Sequence, residues 1–280
     1  MEEYRRSGYL FEDFRLFHNA DTRRKQIPVH YHEFHKILLL LSGNVSYMIE
    51  GREYTLCPGD VVLVSAGRIH RPVIHDHSLY ERIIFYISPR FFQEENGAQL
   101  NLFGNGPELL RFSGETAARI NRLALQLKEA AHDEGYACEL LRRIRFLELL
   151  IWLKRAVSSD QAVFQAEISG NPLSLSALDY IHAHLTQEDL SIDSIASAVS
   201  AGRSYLMHLF RSQVGYTIGQ YITEKRLVMA DALIESGMSV AHAAEKCGFK
   251  NYAAYYYANR QRKTRSALRS EVRPVSPEEE

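Results

Sequence analysis

The sequence predicts an α+β chain of two domains, with a strand-rich N-terminal part closed by a helix pair and an all-α C-terminal part. Three observations predict it. From Ile27 to Ser88, short apolar runs alternate with Gly, Pro and Asp turns, the rhythm of an antiparallel barrel or sandwich. From Glu115 to Val157, apolar residues recur three and four apart, as on a helix face. From Leu190 to Ser270, one short helical pattern occurs twice with a turn inside each copy, which predicts two helix-turn-helix units.

The totals set bounds. At 280 residues the chain can bury two separate cores. With 33 Lys+Arg against 34 Asp+Glu the chain as a whole is not basic, so a polyanionic partner has to be met by a local patch. Cations do cluster late, at Arg260, Arg262, Lys263, Arg265, Arg269 and Arg273, with only Glu271 interrupting. Cys57, Cys138 and Cys247 lack metal-site or redox spacing and read as free thiols of a reducing cytosol. The opening MEEYRRSGYL has no apolar core of signal-peptide length, and the longest apolar run, Ile37 to Leu41, is too short to span a bilayer. The expectation is a cytoplasmic protein without a membrane partner.

In chain order, residues 1–25 carry aromatics at Tyr4, Tyr9, Phe11, Phe14 and Phe17 and read as an arm or edge strand. Ile37–Leu41 reads as a buried strand. Val45, Tyr47 and Ile49 alternate with Ser46, Met48 and Glu50, the period of a strand with two different faces. Glu50-Gly51 is a hairpin turn, Tyr54–Leu56 the return, Pro58-Gly59-Asp60 a further turn, and Val61–Val64 and Arg82–Ile87 are further strands. Residues 89–113 read as a connection, with a short helix at PRFF broken by Asn96-Gly97 and Gly104-Asn105-Gly106-Pro107. Ile120, Leu123, Leu127 and Ala131 mark one helix. Leu140, Leu141, Ile144, Leu147, Leu150, Ile151 and Leu153 mark a second, with Arg142, Arg143, Arg145 and Glu148 on a wet face beside the stripe. SSDQAVFQAEISGNP, Ser158 to Pro172, is a polar linker, after which Leu178, Ile181 and Leu185 open the C-terminal domain.

The first copy of the repeat runs Ile192, Ile195-Ala196, Val199, a turn at Ser200-Ala201-Gly202, then Tyr205-Leu206 and Leu209-Phe210. The second runs Val240, Ala243-Ala244, Cys247, the turn Gly248-Phe249, then Tyr255 and Ala258. Ser191 and Ser239 stand where a hydroxyl can cap the first turn. Gly248 supplies the positive φ that a sharp turn needs. Between the copies, Thr217 with Gln220 forms a capping box and Gly237 a stop, predicting a helix from Thr217 to Ser236 about 30 Å long. A rod of that length suits two recognition helices set into successive major-groove segments, one turn of B-DNA being roughly 34 Å.

From about Leu178 to Ser270 these residues resemble the DNA-binding domain of the AraC/XylS transcription regulators. The resemblance rests on IASAV, on SYLMHLFRSQVGYTIGQYITEKRL and on SVAHAAEKCGF. It implies double-stranded DNA as a partner. With Leu206, Leu209 and Phe210 packed inward, the outward set of the first recognition helix is Arg203, Ser204, Met207, His208 and Arg211. By resemblance, Ser204, Met207 and His208 meet base edges and Arg211 a phosphate. Met207 offers apolar contact, for instance to a thymine methyl, and His208 a single hydrogen bond. The second helix departs from the family, with Asn259, Arg260, Thr264 and Ala267 where a phenylalanine, lysine, glycine and proline are expected. Its outward set is Tyr252, Ala253, Tyr256 and Tyr257. Tyr252, Tyr256 and Tyr257 with Arg260, Arg262 and Lys263 suit backbone contact, which gives affinity without sequence information. The first helix is expected to specify and the second to anchor.

The N-terminal pattern, HYHEFHK, then SGNVSYMIEGREYTLCPGDVVLVSAG, then a histidine, is similar to a cupin, the jelly-roll barrel that serves this regulator family as a sensor. His30 and His32, two apart on an extended segment, face one side, and His70 stands where cupins place a third ligand. Three imidazoles can hold a divalent cation. The usual fourth ligand is a glutamate four residues after the second histidine, and Lys36 stands there; Ala66 replaces a usual proline. The expectation is a metal-free pocket without cofactor, in which His30, His32, Lys36 and His70 bind a small polar effector, a sugar as first choice. His35, His75 and His77 read as turn or surface residues.

The expected layout is a cupin-like sensing domain with its arm at 1–110, a helix pair for dimerisation and coupling at 111–157, a linker at 158–172, a double helix-turn-helix domain at 173–273 and an acidic tail at 274–280. The function it implies is a ligand-responsive, sequence-specific transcription regulator, homodimeric, meeting RNA polymerase if it activates. With no Gly-rich phosphate loop or nucleophile elbow, catalysis is not expected. A metal-dependent cupin enzyme, or a sensor whose degenerate DNA-binding half acts through protein partners, are the alternatives.

Overall fold

The computed structural model describes residues 10, 12–22, 27–93, 95–104, 106–159, 162–163 and 168–272. Tyr4, Tyr9 and Phe11 of the arm, Arg273 and the tail at 274–280 lie outside the described residues, as do the side chains of Arg265 and Arg269. The chain divides into two compact units, one of residues up to 168 without 50–52, the other of 169–272 together with 50–52.

The first unit is strand-rich, and its strands form two sheets sharing a core. One sheet runs in the order β1-β7-β2-β5-β8-β9, from Phe14–Asp21 (β1), His35–Ser42 (β2), Val61–Val64 (β5), Tyr80–Ile87 (β7), Leu109–Phe112 (β8) and Ala162–Val163 (β9). The other contains Val45–Ile49 (β3), Arg52–Thr55 (β4), His70–Ile74 (β6) and the two residues Ile168–Ser169 (β10), in the order β10-β4-β3-β6. The expected barrel is thus an antiparallel pair of sheets, as in a jelly roll. Of the arm, Phe14–Asp21 is the edge strand β1, paired along its whole length with β7.

The near-continuous apolar run of β2 follows from burial on both faces. Leu38 and Leu40 face the inter-sheet core with Val62, Val64, Ile84, Tyr47 and Ile49. Ile37 and Leu39 face the other way with Val61, Leu63, Ile83 and Phe85, into a second core roofed by helices. Those helices are α2 (Gly114–Ala131) and α3 (Cys138–Ser158), which follow a single 3-10 turn at Pro89–Phe92 and a short helix, α1 (Glu95–Ala98). They bury Ile120, Leu123, Leu127, Phe146, Leu149, Leu150 and Leu153. On the far side of α3, Leu140, Ile144 and Ile151 remain exposed.

Strand β3 has the two different faces expected, Val45, Tyr47 and Ile49 in the inter-sheet core and Ser46 and Met48 on the other side, and both faces are buried. Two expectations are corrected here. His35 is not a turn residue. It shares the strand parity of Ile37, so its ring lies on the helix-side face, stacked on Phe103 (centroids 4.1 Å) and edge-on to Phe92. The connection at 89–113 also contains strand β8, paired to β5. Glu50-Gly51, with φ of 48° and 75°, is the two-residue hairpin turn the sequence predicts.

The second unit is helical throughout: α4 (Pro172–His184), α5 (Ile192–Ala198), α6 (Arg203–Val214), α7 (Ile218–Glu235), α8 (Val240–Lys246) and α9 (Tyr252–Val272). The Thr217–Gln220 capping box is made, and Ser191 caps α5 as expected, forming a second box with Ser194. Ser239 holds the N-cap position of α8 but makes no side-chain cap bond. Gly237 (φ 96°) stops α7, and at 18 residues α7 is about 27 Å long, with Thr217 and Ser236 serving as its caps. Gly248 (φ 82°) sits so close to Thr186 that an added Cβ would lie 2.7 Å from its carbonyl oxygen.

Candidate functional site

In the second unit, α6 is held from beneath. Leu206, Phe210 and Val214, four apart, are fully buried, and Phe210 meets Tyr221 of α7 edge to face at 5.5 Å. With that stripe fixed, Arg203, Ser204, Met207, His208 and Arg211 are exposed, as the periodicity predicts. Leu209 is half-buried, and Tyr205 is 60% exposed, so Tyr205 belongs to the outward set although the repeat pattern places it in the core. The missed signal is spacing: Tyr205 lies one residue off the Leu206–Phe210 stripe. Arg203 is tied to Asp193 of α5, at 2.7 Å, which braces the turn between α5 and α6.

Helix α9 is anchored by Tyr255, which packs on Phe249 beside Leu227, Ala230, Ala243, Ala244 and Cys247. Tyr252, Tyr256 and Tyr257 are exposed, with Arg260 and Lys263 further along the same helix. Tyr257, Arg260, Gln261 and Thr264 line a shallow open groove there. Arg262 departs from the expected phosphate set. Its side chain is 12% exposed and donates to Asp231 of α7 at 2.6 Å and to Asn259 at 3.1 Å. A partly buried, doubly engaged guanidinium fixes α9 to α7 and does not point at solvent.

In the first unit the three histidines converge. Backbone bonds between His30 and His70 run both ways, N–H to carbonyl at 3.1 and 2.8 Å, although the segment around His30 is a single bridge and not a strand. The ring centroids are 4.5 Å apart for His30–His70, 4.9 Å for His30–His32 and 5.3 Å for His32–His70. One nitrogen from each lies within 4.8 Å of the others. Nδ1 of His30 donates to the Pro28 carbonyl at 2.7 Å, and Nδ1 of His70 to the Arg68 carbonyl at 2.8 Å. A carbonyl only accepts, so in the neutral rings Nε2 carries the lone pair. Nε2 of His70 is buried and makes no hydrogen bond. Burial first, then the neighbouring His30, Lys36 and His32, hold His70 well below the usual imidazole range, so its ring is neutral.

Lys36 is 2% exposed and shares the parity of Leu38 and Leu40, so it points into the inter-sheet core. Its ammonium lies over the rings of Tyr47 (5.9 Å) and Tyr86 (5.7 Å). Tyr86 in turn touches His32 and Phe34, and Tyr47 stacks on His70. All four residues picked from the sequence thus meet in one neighbourhood, and the two tyrosines escape sequence reasoning because each reads as an ordinary strand residue. The Nε2 of His75 lies 2.7 Å from the Ser46 hydroxyl.

A model of the AraC-like ligand binding domain matches residues 15–176, and a helix-turn-helix domain model matches residues 195–268. The chain belongs to the AraC family. It is a ligand-responsive, DNA-binding transcription regulator. Among curated AraC-family proteins it is similar to the HTH-type transcriptional activator RhaS of Shigella sonnei, with 28% identity over 236 residues, 80% of each chain. RhaS of Escherichia coli strain K12 is 27% identical over the same length and shares. Among solved structures it is similar to ToxT from Vibrio cholerae, at 15% identity and a TM-score of 0.35, covering 88% of this chain and 93% of that one. No helix among the described residues is long and apolar enough to cross a membrane.

Proposed function

We propose that the chain is a cytoplasmic, non-catalytic activator that reads its operator with α6, anchors with α9 and answers a small polar effector held at His30, His32, Lys36 and His70. The carrying observation is the sidedness of α6: a buried Leu206–Phe210–Val214 stripe beneath an exposed Ser204, Met207, His208 and Arg211. Ser204, Met207 and His208 suit base edges and Arg211 a phosphate. The exposed tyrosines Tyr252, Tyr256 and Tyr257, with Arg260 and Lys263, suit the sugar-phosphate backbone. Arg262 serves α9 from within. Activation draws support from the curated relatives, which are named as transcriptional activators, and it implies contact with RNA polymerase.

The exposed Leu140, Ile144 and Ile151 on α3 support a homodimer through that face. A sugar suits this neighbourhood because imidazoles pair with hydroxyls. Footprinting of the full chain on genomic fragments tests the reading. Protection over roughly two helical turns is expected, one recognition helix per turn. His208→Ala should change which sequences are selected from a random pool. No specific protection at low salt would end the proposal.

A further inference from the structure

We propose that Glu50 is a positioning residue for the recognition helix α6, acting through Tyr221. Residues 50–52 belong to the helical unit, and Glu50 is 1% exposed there. One oxygen of its carboxylate accepts from the Tyr221 hydroxyl, and the other pairs with the Lys225 ammonium, both from α7. Nε2 of His182, on α4, lies 2.6 Å from the same hydroxyl and 3.8 Å from the carboxylate. A hydroxyl has one proton, which Tyr221 directs to Glu50, so His182 is the donor in its contact with Tyr221. Side chains of α4 and α7 thus converge on one buried carboxylate. Such a charge is tolerated only when it is paired and fully hydrogen-bonded, so the groups around it are held in place.

The cluster bears on α6 at two points. Tyr221 is fully buried and meets Phe210 edge to face at 5.5 Å. Gly51 is so near the end of α6 that an added Cβ would stand 3.3 Å from Val214, and 2.9 Å from Leu178 of α4. Phe210 and Val214 are two of the three residues in the buried stripe of α6, whose opposite face carries Ser204, Met207 and His208. Glu50 is also an unusual turn residue. Its φ of 48° is one that Asn or Gly adopts at less cost, so the bonds of its carboxylate, and not the turn, account for a glutamate there. Ile49, one peptide bond earlier, belongs to the sheet unit and pairs in register with His70. A shift of β3 against β6 therefore reaches Glu50 through a single peptide bond, and this last clause rests on the effector reading of His70.

Hydrogen exchange on the full chain, read by mass spectrometry, tests the positioning without operator or effector. Glu50→Ala should speed exchange of the α6 amides about tenfold and leave α8 and α9 unchanged. Tyr221→Phe keeps the ring against Phe210 but loses the bond to Glu50. It should match Glu50→Ala, and the double variant should be no worse than either. Glu50→Gln/Lys225→Met keeps an acceptor for Tyr221 and removes both charges of the pair, so it should restore the wild-type pattern. On a fragment that the wild type protects in footprinting, Tyr221→Phe should bind about tenfold more weakly, the loss of about one base contact, with less than about twofold change on random-sequence duplex. Wild-type α6 exchange in Tyr221→Phe would overturn the proposal. So would equal acceleration in every helix from α4 to α9, which is what a merely stabilising residue would give. His70→Gln should alter α6 exchange in the wild-type background and not in Tyr221→Phe; the same change in both would overturn the link to His70.

Discussion

Acidification should loosen the sheet unit in part through the ring of His35. Its Nδ1 accepts the Ala66 N–H at 3.1 Å, and its faces are covered by Phe103 and Phe92. Protonating Nδ1 would delete that acceptor and place a charge among aromatics, and burial lowers its pKa from 6.5 to about 4. In the unfolded chain the ring titrates near 6.5. Between pH 6.5 and 4 the unfolded state therefore carries a proton that the folded state refuses. Stability rises with pH wherever the unfolded state binds more protons, so this contribution is complete above 6.5 and drains away down to about 4. The full difference is about 3 kcal/mol, of which about 2.5 is gone by pH 4.5. Trp152, the only tryptophan, lies in α3 of the same unit under the Arg119 guanidinium, so its fluorescence reports this unit's unfolding in urea. His35→Leu should start lower, by about 1–3 kcal/mol, because the Ala66 N–H loses its acceptor. It should then lose about 2.5 kcal/mol less than wild type between pH 7.5 and 4.5. Parallel pH profiles for the two proteins would refute the reasoning.

Other perturbations reach other parts of the chain. Replacing Arg260 and Lys263 by alanine should weaken binding to all DNA sequences alike and reduce the slope of log K against log salt by about one unit for each phosphate no longer neutralised, whereas Arg262→Ala should lower the melting temperature of the helical unit; filter binding across a salt series and calorimetry separate the two. Asp60 is 2% exposed, takes two bonds from Arg111 and caps the Cys57 N–H, so Asp60→Ala should destabilise the sheet unit by about 3–5 kcal/mol in urea unfolding. Gly248→Ala adds a Cβ against the Thr186 carbonyl at a positive φ, and should cost upward of about 1 kcal/mol and weaken DNA binding by misplacing α9, which calorimetry and filter binding measure separately.

What the sequence made legible follows where one force dominated locally. β2, β5 and the Ile83–Ile87 stretch of β7 are readable because burial on both faces leaves apolar runs, α5 because Ser191 stands as its cap, and α7 because its capping box lies within four residues. β6 is not readable. Pro72 sits in its middle, which argues against a strand, yet β6 is the edge of its sheet and Pro72 faces Tyr47 without needing a ladder donor. β8 is hidden in a Gly-rich connection because four residues paired to β5 need only long-range company. Strand parity decides His35, since Ile37 two residues on belongs to the core on the same face. The three histidines and Lys36 stand out as a set, but how tightly they converge depends on a bridge between residues forty apart, which no local pattern encodes.

The two recognition helices are built on one plan and loaded with different chemistry, and this asymmetry bears on how the regulator chooses its sites. α6 carries small and mixed groups outward, Ser204, Met207 and His208, over a fully buried stripe. α9 carries three large phenols outward, each offering one hydrogen bond and no paired donor–acceptor pattern. On the reading proposed above, its exposed Arg260 and Lys263 meet phosphates, and Arg262 is spent on Asp231. A helix so loaded gains from any duplex and discriminates little, so its contribution to specific and non-specific binding nearly cancels in their ratio. On that same reading, specificity rests on α6, where removing one base-reading group should cost about 1–3 kcal/mol. Operators should accordingly show one well-defined segment of base preference beside a looser one, and the two should stay at a fixed spacing because α7 joins the second core at Leu227 and Ala230 to the first at Tyr221 and Ile218.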